Sequence, residues 1–245
     1  MTLSVTVWNE YVTQRENEAA REVYPEGIHT TIAGFLEEED YDVRCSLYED
    51  PEYGLTEEVL ADTDILMWWS HVKNEEIDDE IVDRVVDRVY DGMGLIVLHS
   101  GRRSKVFPRL MGTSCDLRGY RDADETERVW VVNPSHPIVD GLQEEFIEIP
   151  ESQVVAEPWE IPEPEATVMV SWLEGGEIFR SGCCFQRGDG KIFFFGPGHE
   201  THPVYHMPEV QTVLTNAVEW ARPVDGPNGP QTEPSESLPP REPLE

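Results

Sequence analysis

Residues 196–206 read GPGHETHPVYH, and three of the chain's seven histidines fall there, directly after the apolar run KIFFF (191–195). Imidazole titrates near neutral pH and ligates first-row divalent ions. A group of imidazoles at the end of an apolar run therefore suits proton transfer or metal ligation. Other residues sit in like positions. Trp69-Ser70-His71 ends the run beginning DILM at 64, His99-Ser100 follows GLIVL (94–98), and Glu10 follows LSVTVWN (3–9). His29 lies at the head of the segment GIHTTIAGFLEEE (27–39). One histidine at a strand end is usually a hydrogen-bonded turn residue, so the set carries the signal, not any member. His136, in the Pro-rich NPSHPI, reads as structural. Trp68 and Trp69 point to opposite faces of any strand that holds them, so one is buried whatever the other does. The GxG at 196–198 is too common a pattern to indicate phosphate binding.

HSG at 99–101 is built like a nucleophile elbow, in which the nucleophile sits on a sharp strand-to-helix turn two residues before a glycine. Here that position is His99, and Ser100 is one step late. With neither thiol nor hydroxyl at the elbow, covalent acyl transfer is disfavoured.

The elements that must position these residues alternate. Short β-branched or apolar runs at 3–8, 42–48, 64–70 and 94–101 read as strands. Between them, 27–39, 55–63 and 75–92 have helical spacing; Ile77, Ile81, Val85 and Val89 share one face, and Thr56 opens the second like a capping box. Alternation of this kind implies an α/β fold with a mainly parallel sheet and helices on both faces. In such sheets ligands bind outside the carboxyl ends of the strands, which would gather Glu10, His29, His71, His99, His199 and Glu200 on one rim. The stretches 128–142 and 153–166 read as short strands and Pro-rich loops, 166–196 as consecutive strands, and 207–221 as a helix. From Pro223 the chain is rich in Pro, Glu and Ser, the composition of a disordered acidic tail (223–245) behind one domain (1–222).

The formal net charge is -32 at pH 7, with acids dispersed along the chain and lysine only at 73, 105 and 191. Such a surface predicts a halophilic protein, kept soluble where counterions screen its self-repulsion. It is a poor partner for nucleic acid or anionic membrane. Four cysteines without a CxxC pattern predict free thiols in a reducing compartment. Neither a signal peptide nor a membrane-length apolar run is present, so the expectation is a cytoplasmic protein, with homo-oligomerisation left open.

Several motifs in order carry a resemblance: VWNE (7–10), YPEGIHT (24–30), WWSH (68–71), GMGLIVLHSG (92–101) with SKVF (104–107), FRSG (179–182) and GHETHPVYH (198–206). Together they resemble the ThuA-like, trehalose-utilisation family over roughly residues 3–222. The resemblance implies a three-layer, flavodoxin-like fold of the class I glutamine amidotransferase type. It also implies a role in catabolism of trehalose and related disaccharides, alongside an oxidoreductase that makes 3-keto sugars. Amidotransferases carry Cys at the elbow and a His-x-Glu pair after the last strand. His99 and the adjacent His199-Glu200 depart from that and argue against amidotransferase activity. Arg102 and Arg103 stand where the family places a histidine, and His202 is the extra imidazole of its motif.

Three readings follow. In the first, an enzyme acts on a keto-disaccharide or a related sugar by metal-assisted or His/Glu general acid/base chemistry. His29, His71 and His199 would hold a divalent metal, zinc or another first-row ion. His99, Glu200 and Glu10 would be catalytic, Glu10 as base or fourth ligand, and Trp69, Ser100, Tyr205 and His206 would bind the sugar. The second is a non-catalytic sugar-binding or regulatory protein. The third, an amidase using Ser100, has least in its favour.

Overall fold

The computed structural model describes residues 2–224; residues 225–245, which hold almost all of the expected tail, lie outside them. In chain order the elements are β1 (Ser4–Asn9), α1 (Thr13–Glu16), α2 (Glu18–Val23), α3 (Ile28–Glu37), β2 (Asp42–Leu47), α4 (Glu57–Ala61), β3 (Ile65–Trp69), α5 (Asp79–Tyr90), β4 (Gly94–Leu98), α6 (Val106–Met111), β5 (Leu117–Val131), β6 (Phe146–Trp159), β7 (Ala166–Leu173), β8 (Ile178–Arg187), β9 (Gly190–Phe195) and α7 (Pro208–Ala221). All nine strands join one sheet in the order β2-β1-β3-β4-β9-β8-β7-β5-β6.

The first five strands of that order run parallel, and every pairing from β9 outward is antiparallel. The sheet is therefore mixed, which corrects the expectation of a mainly parallel one. The cause lies in 117–159, whose acidic and Pro-containing sequence hides two long strands. β5 and β6 pair through three register shifts, and these break the period-2 pattern that marks a strand.

Within the parallel half the reading by periodicity corresponds to the structure. β3 and β4 are buried along their whole length, as suits strands covered on both sides. One hydrophobic cluster packs Ile28, Ile32 and Leu36 of α3 and Val213 and Leu214 of α7 on Val7, Met67, Ile96 and Phe193. The other packs Val85 and Val89 of α5 and Phe107 of α6 on Trp8, Leu66, Val97 and Phe194. Consecutive strand residues thus divide between two clusters, as the pleat requires. Thr56 caps α4 by accepting from the Val59 N–H at 3.2 Å. Its third helical position is Val59, so the reciprocal carboxylate bond of a full capping box is missing.

Candidate functional site

Register decides which residues meet. Asn9 pairs with Trp69, Trp69 with Leu98, and Leu98 with Phe195. The next residues, Glu10, Ser70, His99 and Gly196, are therefore level at the carboxyl edge of the parallel half. His71, His199 and Glu200 follow within a few residues.

His71, His99, His199 and Glu200 each offer one candidate ligand atom, and these atoms all lie within 4.8 Å of one another. The ring centroids form a triangle of 5.0 Å (His71–His199), 5.5 Å (His99–His199) and 5.8 Å (His71–His99). His99 has φ +47°, left-handed backbone that a residue with a Cβ rarely adopts. This is the strained elbow that HSG predicts, and Gly101 closes it: a Cβ there would meet Trp68 Cδ1 at 3.0 Å and the Trp68 carbonyl at 3.1 Å. His99 Nδ1 lies 3.2 Å from the Gly196 carbonyl. A carbonyl only accepts, so Nδ1 carries the proton and Nε2 keeps its lone pair. That Nε2 is buried and has no partner.

Glu200 is 1% exposed and works in two directions. Its Oε1 is 2.6 Å from His71 Nδ1, while Oε2 is 3.7 Å from His199 Nε2 and accepts no hydrogen bond. Carboxylate–imidazole pairs of this kind orient metal-ligating histidines. His199 Nδ1 is held by the Thr201 hydroxyl at 2.8 Å. Gly198, at φ +130°, is required on that loop because a Cβ would collide with the Tyr205 hydroxyl. Three imidazoles and a carboxylate are a donor set for zinc and similar ions, so these four residues could hold one.

The charges are set by burial and by each other. Burial lowers the pKa of His99 well below the usual imidazole value, reinforced by His199, Arg102 and His71. Burial also lowers His199. On His71 burial opposes the charged form, but the hydrogen bond and charge of Glu200 outweigh it and raise the pKa. Burial likewise works against Glu200, and its bond to His71 more than compensates, lowering its pKa.

The remaining expected residues are placed differently. His29 is absent from the cluster. Its Nδ1 accepts from Asn9 Nδ2 at 2.9 Å, its ring edges Tyr11, and Cys45 of β2 reaches its carbonyl. Burial and Arg15 bring its pKa down to about 4. The strand order explains the exchange: α3 sits toward β2, whereas β9 inserts beside β4 and brings His199 to His99. Glu10 is fully buried, and its two oxygens accept from the backbone N–H groups of His71 (2.8 Å), Val72 (3.0 Å) and Lys73 (2.8 Å). It holds the turn that carries His71 rather than facing the imidazoles.

Trp69 is buried, stacks at 6.4 Å on His99, and donates from Nε1 to the Gly198 carbonyl at 3.1 Å; it is a wall of the site. Trp68 is buried as well, stacked on Trp8. Ser100 is buried in the 3-10 turn His99–Arg103. Tyr205 is wholly buried under Gly198, and His206 is exposed, stacked on Tyr24 and bonded to the Val23 carbonyl. Neither is one of the four clustered residues. His136 accepts from the Ile138 N–H, a structural role as expected.

Sequence reasoning set His202 aside and overlooked Asp124. His202 packs 5.6 Å from His199 and lies 3.7 Å from Asp124, which β5 carries across to this edge. No sequence signal marks Asp124, because its arrival depends on the hidden β5–β6 pairing. The four cysteines are free, and among the described residues no helix is long and apolar enough to cross a membrane.

No curated protein matches the chain significantly. Among solved structures it is similar to a putative ThuA-like protein from Parabacteroides merdae, with TM-score 0.63 and 13% identity, covering 90% of both chains. A cytoplasmic protein from Salmonella typhimurium gives TM-score 0.58 and 12% identity, covering 91% of this chain and 100% of that one. A putative GMP synthase component from Thermoplasma acidophilum gives 0.53 and 13%, covering 89% and 94%. At these identities the likeness establishes a shared fold and nothing further. The trehalose-utilisation family model matches residues 4–221, and the chain belongs to the ThuA family.

Proposed function

We propose that this ThuA protein is a metal-dependent enzyme acting on a keto-disaccharide or a related sugar. The observation that carries this reading is the convergence of His71, His99, His199 and Glu200, with the lone pair of His99 Nε2 and an oxygen of Glu200 both buried and unpartnered. Leaving such groups unmatched costs about 1–3 kcal/mol each, and a divalent ion would satisfy both. His71, His99 and His199 would be the ligands, with Glu200 orienting His71 through one oxygen and facing the ion or substrate with the other. A bound ion would supply Lewis-acid polarisation of a sugar oxygen and a more acidic bound water. The protein's own part is to fix the imidazoles: the Gly196 carbonyl sets the His99 tautomer, Glu200 holds His71, and Trp69 shields the inner wall. Histidine at the elbow leaves no nucleophile for glutamine hydrolysis there, which supports a sugar-directed role over an amidotransferase one.

Elemental analysis and zinc, manganese and cobalt titrations of purified protein test the reading. Close to one equivalent of a divalent ion is expected in wild type, with loss in His71→Ala, His99→Ala and His199→Ala and retention in His29→Ala. Failure of wild type to bind any of the three ions would overturn the metal centre. Stoichiometric metal without turnover of keto-sugars would leave a binding protein instead of an enzyme.

A further inference from the structure

Arg102 lies on the same turn as His99, three residues on. Its side chain is 2% exposed, and its Nη1 donates to the His99 carbonyl at 2.9 Å. Nε is buried with no partner, and among the described residues no carboxylate lies within ion-pair distance of the guanidinium. This is unusual in a chain with 50 acidic residues. A guanidinium has five N–H donors and no acceptor, and burying a cation without a counter-charge is strongly unfavourable. Burial and Arg103 lower its pKa to about 10, so it remains charged at neutral pH. Its charge bears on both His71 and His99. On the β5 side Asp124 lies 3.7 Å from His202 Nε2, so this edge is positive at the elbow and negative there.

We propose that Arg102 determines specificity: the site takes a sugar that bears an anionic oxygen group, a carboxylate or a phosphate, and the guanidinium pairs with that group beside the histidines. Arg suits this task because its planar fork matches both anions. The inference rests on the histidine cluster being the substrate site, but not on a metal occupying it. The charge gradient would orient such a substrate, anionic end to the elbow and hydroxyls toward Asp124.

The test is calorimetric titration of inorganic phosphate and of acetate into EDTA-dialysed protein at matched ionic strength, for wild type, Arg102→Met and Arg102→Lys. Saturable binding of one anion to wild type is expected, weakened at least tenfold in Arg102→Met and less in Arg102→Lys. Phosphate as the better ligand indicates a sugar phosphate, and acetate a sugar acid. No saturable binding of either to wild type overturns the inference. So does equal affinity in wild type and Arg102→Met. Should Arg102→Met fail to fold, unchanged affinity in Arg102→Lys overturns it and reduced affinity supports it. A parallel zinc titration separates the two readings: zinc without anion binding defeats only this inference, and anion without zinc binding defeats only the metal centre.

Discussion

Replacing Glu10 by Ala removes a carboxylate that accepts from three consecutive backbone N–H groups, those of His71, Val72 and Lys73. Each buried donor left without an acceptor costs about 1–3 kcal/mol, so three would cost about 3–9 kcal/mol. The vacated space admits water and the turn is partly exposed, so the lower end applies, about 3 kcal/mol. For a chain of this size that corresponds to a fall in Tm of roughly 6–12 °C. The same change frees the turn that presents His71, so zinc affinity should fall too, even though Glu10 is no ligand. Glu10→Gln should lie between, because one oxygen can still serve the three donors while its amide faces the Val72 N–H. Calorimetric melting and zinc titration in molar salt measure both effects. A Glu10→Ala protein that melts within 2 °C of wild type and binds zinc equally would refute the argument. Loss of keto-sugar turnover at unchanged stability and metal affinity would instead restore Glu10 as the base.

Lowering salt from molar to dilute should lower the Tm, since screening reaches about 3 Å at 1 M but about 10 Å at 0.1 M and the chain carries a net charge of -32; a flat Tm would remove the halophilic reading. Acid should destabilise the fold between about pH 6.5 and pH 4. His29 and His99 are depressed, so the unfolded chain takes up protons there that the folded chain refuses, and stability is lost as pH falls. His29 alone, at about 4 against 6.5, accounts for about 3 kcal/mol, and denaturant titrations of wild type and His29→Gln at pH 7 and pH 4 should differ by that amount. Equal acid sensitivity in the two proteins would dismiss His29 as its source. His71 works in the opposite sense: its raised pKa stabilises below 6.5, and that contribution is lost as pH rises through its folded pKa.

The carboxyl-edge rim was legible because alternating strands and helices over residues 3–101 leave parallel strands little choice of direction. Any residue just past their ends must share one edge. Which histidines would cluster was not legible, because strand order is not written in local periodicity. His29 and His99 both end up near strand ends, and only the insertion of β9 beside β4 selects His99. Glu10 looked like chemistry because an isolated acid after a buried strand has two uses, and only the backbone of 71–73 reveals which. The β5–β6 pair escaped detection because bulges and acids break its alternation, so Asp124 could not be anticipated at the site.

The pairing of β4 with β9 joins segments about 100 positions apart, Leu95 beside Ile192, and contacts of such separation form late because chain closure must precede them. Two of the three imidazoles, His71 and His99, are synthesised long before the third. A nascent or half-folded chain therefore presents no complete imidazole cluster. Capture of an ion would coincide with docking of β9 and α7, the last regular elements of the described chain, so metal loading would report on completed folding and would spare incomplete chains from scavenging ions during synthesis.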